Sequence, residues 1–328
     1  MSEPNKAGAV PSGAASPESH DAGSAAMRTV ADIWPSLGYE EWKDTYETLH
    51  MWTQVVGKIR LALSPAVNHW WHVTLYVTPS GLTTSPIPYA TRIFEISFNF
   101  IDHNLIVHTS DGATGRMGLY PRSVADFYNE LMSILRSLGI DVQINTIPQE
   151  VSNPIACDVD MVHASYDAGY ANRFHRILVQ TDRVFKEFRG HFLGKCSPVH
   201  FFWGGFDLAV TRFSGRPAPA RPGADRITRE GYSHECSSVG FWPGSGGLLA
   251  PAYYAYTVPE PAGLSNARVL PDGAYYDSHM QEFFLRYDDV RNAADPAATL
   301  LDFLQTTYAA GADLAGWDRH SLERESER

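Results

Sequence analysis

One short segment of the 328-residue chain brings three chemically active side chains together, since His234, Glu235 and Cys236 are consecutive. The pattern around them predicts a strand. Successive side chains of a strand alternate between its faces, so His234 and Cys236 share one face and Glu235 lies on the other. A histidine beside a thiol can act as a base beside a nucleophile. Because cysteine is equally a common core residue, both cysteine catalysis and plain packing remain open.

A carboxylate stands inside an apolar run at Phe206-Asp207-Leu208. Burying a carboxylate without a partner is costly, and Arg212 is the candidate partner that lies near it in the sequence. The sequence therefore predicts either a structural ion pair between Asp207 and Arg212 or a contact of these side chains with a substrate.

Aromatic side chains recur on one predicted strand face, where Trp70, His72 and Tyr76 alternate with apolar residues. Trp203 occupies the matching place in the second half of the chain. Such a face could be a platform on which a ligand stacks beside an ionisable group, or it could be core, because large aromatic side chains are mostly buried.

Two sets of candidate site residues follow from these patterns. The weak catalytic candidates are Asp207, His234 and Cys236, and the candidate substrate-binding residues are Trp70, His72, Trp203, Arg212 and Glu235. No metal site is predicted, because the spacing of Asp158, Asp160 and His163 is not diagnostic of one. The glycine-rich segments lack the strand–glycine–helix context of a phosphate-binding motif, so the cofactor is left unknown.

Composition narrows the class of protein. The net charge of −11 disfavours nucleic-acid binding. Three widely spaced cysteines without a C-x-x-C motif argue against a disulfide framework and favour a reducing, cytoplasmic setting. We find neither a secretory leader nor an apolar run of about 20 residues, so no membrane association is expected. The excess of arginine over lysine, with abundant alanine, suggests a bacterial origin.

The hydrophobic periodicity predicts an ordered body behind a disordered tail at residues 1–29. Residues 46–63 have the pattern of an amphipathic helix, and a strand is expected at 69–78. A hairpin follows at 92–109, and a helix at 123–138 ends at Gly139. The second half repeats this order with a helix at 170–192, strands at 199–211, 233–241, 253–258 and 281–288, and a helix from Pro296.

The two halves can also be aligned without gaps at an offset of 133 residues, which matches Trp70 with Trp203 and Leu75 with Leu208. The sequence thus predicts an α+β fold made by an internal duplication. Its two similar α-β-β-β-α units have mainly antiparallel sheets with helices on one side. The first unit spans residues 30–150 and the second 151–317, packed together as one globular body, and residues 318–328 are expected to fray.

Three sequence segments resemble those of an uncharacterised bacterial family that is known only as a domain of unknown function. They are His200-Phe-Phe-Trp-Gly-Gly-Phe-Asp-Leu-Ala-Val-Thr-Arg-Phe-Ser-Gly-Arg216, Tyr232-Ser-His-Glu235 and Gly240-Phe-Trp-Pro-Gly244. The resemblance covers about residues 34–310. It implies one folded unit, and it brings no activity, cofactor or catalytic residue.

Three functions stay open at this point, and whether the chain is an enzyme is undecided. The first is a soluble small-molecule-binding or enzyme-like protein with a cleft between the two repeats, since ligands often bind in such clefts. The second is a structural or interaction module without catalytic activity. The third is a cysteine- or metal-dependent hydrolase. The substrate and the oligomeric state are not given by the sequence.

Overall fold

The computed structural model describes residues 29–245 and 247–324. The predicted disordered tail lies outside these residues except for Thr29, which caps the first helix. The described residues form helices and two antiparallel six-stranded sheets. The predicted α+β class is therefore confirmed. No helix among them is long and apolar enough to cross a membrane.

Eight α-helices occur in the described part of the chain. They are α1 (Val30–Ile33), α2 (Tyr39–Leu63), α3 (Val124–Ser137), α4 (Ala168–Gly190), α5 (Arg226–Gly231), α6 (Tyr287–Arg291), α7 (Pro296–Leu314) and α8 (Arg319–Leu322). Their ends follow the predicted signals, since the Ser123 side chain caps α3, Gly139 after it has a φ of 70°, and Pro296 opens α7 behind the capping side chain of Asp295.

Helix α2 is the centre of the fold. It is buried on all sides from Thr48 to Arg60, which is typical of a helix that lies between other layers. On one side Trp52 stacks on Phe127 of α3, with ring centroids 4.8 Å apart. On another side Gly57 lies directly against the indole ring of Trp203, where a Cβ atom would overlap that ring.

The first sheet is built from short strands around one long hairpin. Its strands are β1 (Tyr76–Val77), β2 (Gly81–Thr83), β3 (Ile87–Tyr89), β4 (Arg92–Asn99), β5 (Asn104–Thr109) and β6 (Thr114–Gly118). They pair in the order β1-β2-β4-β5-β6, and β3 also pairs with β4. Alternation explains the long strand, because Phe94, Ile96 and Phe98 are buried between less buried neighbours.

The second sheet follows α4 along the chain. Its strands are β7 (His200–Phe202), β8 (Asp207–Pro217), β9 (His234–Trp242), β10 (Ala252–Val258), β11 (Tyr275–Asp277) and β12 (Glu282–Arg286), in the order β11-β12-β10-β9-β8-β7. A backbone bridge joins the two sheets, since Leu75 and Phe201 exchange hydrogen bonds of 2.9 and 2.8 Å.

Helices α4 and α7 cover one face of the second sheet. Tyr253 of β10 points to this face, where its hydroxyl lies 3.0 Å from the Thr181 hydroxyl of α4. Thr257 points the same way and lies directly against Gly311 of α7. The side chains between them, Tyr254 and Tyr256, therefore point to the opposite face, which no helix of this pair covers.

Two predicted strands differ in the structure. Residues 69–78 form a 3₁₀ turn at Asn68–Trp70 and only a two-residue strand, because His69 and Trp70 take left-handed φ values of 57° and 61° that no strand accommodates. Residues 199–211 form the hairpin of β7 and β8 instead of one strand. The turn between them includes Phe206 at a φ of 58°.

The internal duplication remains a prediction. The order helix, antiparallel sheet, helix does occur twice. The offset of 133, however, places Val77 of the two-residue β1 on Val210 in the middle of the eleven-residue β8. The C-terminal residues 318–328 are expected from the sequence to fray. Within them, Arg319 of α8 forms ion pairs with Asp313 and Glu323, and residues 325–328 lie outside the described residues.

Candidate functional site

A cavity of about 800 Å³ lies on the face of the second sheet that α4 and α7 leave uncovered. Its floor is made by the side chains of β8, β9, β10 and β12 that point away from these helices. Tyr46, His50, Lys58 and Leu61 of α2 form the opposite wall, and their spacing places them on one side of that helix. The segment at residues 202–205, the loops around residues 69–73 and 145–150 and the short helix α5 also line it.

At the centre of the floor, the hydroxyl of Tyr254 donates a 2.5 Å hydrogen bond to Oδ2 of Asp207. Strand β9 lies between the strands that carry these residues, and Gly240 is paired with both Tyr254 and Ala209. A Cβ atom on Gly240 would overlap the Tyr254 ring. The tyrosine therefore crosses the middle strand because that strand has no side chain at this position.

A second tyrosine extends the aromatic floor. The rings of Tyr254 and Tyr256 are stacked, with centroids 6.1 Å apart and planes 8° from parallel. The Tyr256 hydroxyl lies 3.0 Å from that of Tyr232, which precedes β9. Trp70 and Trp203 line the cavity as well. The site thus offers flat apolar surfaces with hydroxyl groups at their edges, as small-molecule sites commonly do.

Three carboxylates face this cavity, Asp207, Glu282 and Glu150. The pKa of Asp207 is raised to about 7, mainly by desolvation and also by the charge of Glu150, while the hydrogen bond from Tyr254 lowers it. Desolvation and the charge of Asp207 raise the pKa of Glu282 to about 7 as well. The pKa of Glu150 is also raised by desolvation, although its side chain remains exposed at the cavity mouth.

None of the three carboxylates forms an ion pair with another of the described residues. The cavity does contain one lysine, Lys58, whose Nζ lies 5.7 Å from the centroid of the Trp203 ring. Burial lowers the pKa of this lysine. Its single positive charge does not balance the charge of three carboxylates. Carboxyl groups without an ionic partner beside apolar rings are unfavourable for folding when ionised, and their raised pKa values are typical of functional sites.

Gly204 and Gly205 have no side chains and so leave space for the carboxylates of Asp207 and Glu150. A Cβ atom on Gly205 would lie 3.0 Å from Oδ1 of Asp207 and 3.5 Å from Oε2 of Glu150. A Cβ atom on Gly204 would lie 2.5 Å from Oε1 of Glu150. The two carboxylates therefore flank the same stretch of bare backbone. His50 fixes that stretch through the 2.8 Å hydrogen bond that its Nε2 makes to the Gly204 carbonyl.

Backbone strain coincides with the acids. Glu150 itself has a left-handed φ of 56°, and Phe206 and Gln281, the residues before Asp207 and Glu282, have φ values of 58° and 59°. Left-handed φ is uncommon for residues other than glycine, asparagine and aspartate. Such conformations cluster at functional sites, where the surrounding structure imposes them.

Four residues of the predicted set line the cavity, and the structure thereby brings them together. They are Asp207, Trp70, Trp203 and Cys236. Trp203 is only 5% exposed, and its indole N–H donates a 2.7 Å hydrogen bond to the carbonyl of Val73. Its ring therefore also fixes a wall of the cavity, so its role is partly structural.

The other four predicted residues do not line the cavity. Arg212 is five residues from Asp207 and so lies on the opposite, helix-covered face of β8, where it donates to the Phe188 carbonyl and its guanidinium lies 4.3 Å from the centroid of the Tyr308 ring. The expected pairing of Asp207 with Arg212 is thus replaced by the bond to Tyr254. Glu235 also points away from the cavity and pairs with Arg216.

The two predicted histidines serve local structure. His72 is buried and accepts a 3.1 Å hydrogen bond at Nδ1 from the Val67 N–H. His234 lies beside Ser233, with its Nδ1 3.1 Å from that hydroxyl. Neither histidine contacts Cys236 by a hydrogen bond that the described residues show.

The structure offers little for thiol or metal chemistry. Burial raises the pKa of the Cys236 thiol to about 12, whereas a nucleophilic cysteine needs a lowered pKa. Among residues 29–245 and 247–324, no group of three or more histidine, cysteine or acidic side chains could hold a metal ion.

Four residues of the candidate site are not among those predicted from the sequence, namely Glu150, Glu282, Tyr254 and Gly240. Two signals for them were present. Glu282 stands at the start of an apolar strand, and an isolated glycine within a strand marks a close approach of other groups. No local signal identifies Glu150, because its contact with Gly204 and Gly205 joins residues far apart in the chain.

Comparison with known proteins gives the chain a family and no activity. No curated protein and no solved structure matches it. A family model described as a family of unknown function (DUF5996) matches residues 34–324, which include every described residue that lines the cavity. The resemblance expected from the phrases around Asp207 and Gly240 is confirmed, and the chain belongs to this family of unknown function.

Proposed function

We propose that this chain binds a small organic molecule in the cavity between α2 and the open face of the second sheet. The observation that carries the proposal is the set of carboxylates, Asp207, Glu282 and Glu150, which face an 800 Å³ cavity without an ionic partner among the described residues. A volume of this size suits a drug-sized ligand.

The architecture supports binding over a purely structural role. Asp207 accepts a hydrogen bond from Tyr254 and has no ionic partner among the described residues, and desolvation raises its pKa. A core network that served stability alone would pair this group or replace it with an apolar one. A ligand that pairs with the Asp207 carboxylate would offset the free energy that its desolvation costs.

The test is a thermal-shift screen of a chemically diverse compound set, followed by titration calorimetry of each hit. Wild type is compared with Asp207→Asn and with Asp302→Asn, whose carboxylate is exposed on α7. A ligand at about 100 times its dissociation constant adds about 2.7 kcal/mol to stability. We expect hits for wild type and Asp302→Asn that weaken in Asp207→Asn. A complete absence of hits would favour the interaction module instead.

Acid–base catalysis at Asp207 is the second candidate function. A pKa of about 7 lets one group both accept and donate a proton at neutral pH, and the Tyr254 hydroxyl orients its carboxyl. Under this hypothesis a hit is consumed by wild type and remains intact with Asp207→Asn, as followed by mass spectrometry of the mixture. Bound ligand that persists unchanged with wild type would restrict the function to binding.

A further inference from the structure

We propose that the ligand of this cavity is an organic amine, which places its ammonium group against Asp207 and packs its apolar body on the aromatic floor. The proposal rests on the function proposed above and specifies its ligand class. It follows from the charges that face the cavity, from the rings beside them and from the way the acids influence one another.

The balance of charge favours a cation. Asp207, Glu150 and Glu282 face the cavity, whereas Lys58 is its one lysine or arginine among the described lining residues. The two lining histidines are His50 and His69, and burial lowers the pKa of both. Burial therefore favours the uncharged form of both imidazoles, and Lys58 is the one cationic side chain set against three carboxyl groups.

Asp207 is electrostatically linked to both of the other acids, and its carboxyl and that of Glu150 flank Gly205. The charge of Glu150 raises the pKa of Asp207, and the charge of Asp207 raises the pKa of Glu282. An ammonium group at Asp207 would be attracted by all three carboxylates at once, since such attraction is strengthened where water is partly excluded.

The rings favour an organic cation over a bare metal ion. Tyr254 stands between Asp207 and the stacked Tyr256, so a group held by the carboxylate is directly beside aromatic surface. Aromatic faces attract ammonium groups and also bury hydrocarbon. The described residues, in contrast, contain no cluster that could hold a metal ion.

The mouth of the cavity suits an apolar body. Ile227 of α5 and Met280, which lines the cavity just before β12, are 53% and 42% exposed. Exposed apolar side chains at the entrance of a polar-centred cavity provide surface for the part of a ligand that carries no charge. An amine with an aromatic or branched hydrocarbon body fits both regions.

The experiment compares ligands that differ only in charge. Tryptamine and phenethylamine are titrated by calorimetry against their neutral alcohol analogues, tryptophol and 2-phenylethanol. Indole-3-acetate serves as the anionic analogue, and maltose tests carbohydrate binding. We expect each amine to bind wild type about tenfold more tightly than its alcohol. Asp207→Asn should abolish that difference, and Glu282→Gln should reduce it. Asp302→Asn and the exposed Glu187→Gln are the matched controls, in which the difference should persist.

The outcomes separate the two proposals. If the alcohols, the carboxylate or maltose bind wild type as tightly as the amines and Asp207→Asn weakens them, the binding function stands and the amine assignment is overturned. If none of the probes or screened compounds binds folded wild type, both proposals fail. Melting curves show that each variant is folded, and Glu282→Gln repeats the test should Asp207→Asn not fold.

Discussion

The Tyr254 hydroxyl reaches Asp207 Oδ2 at 2.5 Å across a strand that carries Gly240 at the crossing point. Three neighbouring strands thus contribute one residue each to a single contact. The contact orients the carboxyl toward the cavity and fixes the ring on which a ligand would pack.

Substituting the glycine should disrupt this contact. We predict that Gly240→Ala destabilises the protein by about 1–3 kcal/mol, because the added methyl group overlaps the Tyr254 ring in a packed layer. Ligand affinity should fall as well. Urea denaturation measures the stability. The control is Gly190→Ala, where a Cβ atom meets nothing within 4 Å, and equal behaviour of the two variants would argue against the crossing.

The raised pKa of Asp207 makes stability depend on pH. The pKa of its carboxyl is near the ordinary value of 3.8 in the unfolded chain and about 7 in the folded protein. The folded state therefore binds the proton more tightly, and its stability falls as pH rises between these two values. Glu282, Glu150, His50 and Lys58 also face the site and titrate, so the measured quantity is the difference between wild type and Asp207→Asn.

We expect the melting temperature of wild type, relative to Asp207→Asn, to decrease as pH is raised from about 5 to about 8. Differential scanning calorimetry at a series of pH values gives this difference. A difference that does not change with pH would show that Asp207 has an ordinary pKa.

The cysteines should be unreactive in the folded protein. Burial raises the pKa of Cys157 and Cys196 to about 11 and that of Cys236 to about 12, so little thiolate exists at neutral pH. We predict slow labelling by iodoacetamide in buffer and rapid labelling of all three in denaturant, followed by mass spectrometry. Selective fast labelling of Cys236 in buffer would contradict this prediction and support the hypothesis of cysteine catalysis.

Removing the charge of Glu235 should leave ligand binding intact. Glu235 lies away from the cavity and pairs with the partly exposed Arg216, and pairs of this kind are worth at most about 1 kcal/mol. We therefore predict that Glu235→Gln lowers stability by no more than this and leaves the ligand dissociation constant within about twofold of wild type. A large loss of affinity would place Glu235 in the site.

The sequence predicted helices α3, α4 and α7 and strands β4, β9 and β10 well, because their burial follows simple periodicities. Helix α3 has its capping serine and C-terminal glycine where the sequence places them. The strand expected at residues 69–78 failed because left-handed backbone at His69 and Trp70 is imposed by the tertiary structure and has no signal in residue types.

The site was predictable only in part, because most of its contacts join residues that are far apart in the sequence. Asp207 was identified because an acid within an apolar run is conspicuous. Its true partner, Tyr254, lies 47 residues away, whereas the partner that local sequence suggests, Arg212, lies five residues away. The parity of the spacing, which puts residues 207 and 212 on opposite faces of a strand, already argued against that pairing.

The most direct test of the central claim is a crystal structure of the protein soaked with the tightest-binding compound of the screen. We predict ligand density in the cavity, with a polar atom within hydrogen-bond distance of the Asp207 carboxylate and the ligand body on the Tyr254 and Tyr256 rings. Density only at another place on the protein, with the cavity around Asp207 unchanged, would contradict the claim that this cavity is the functional site.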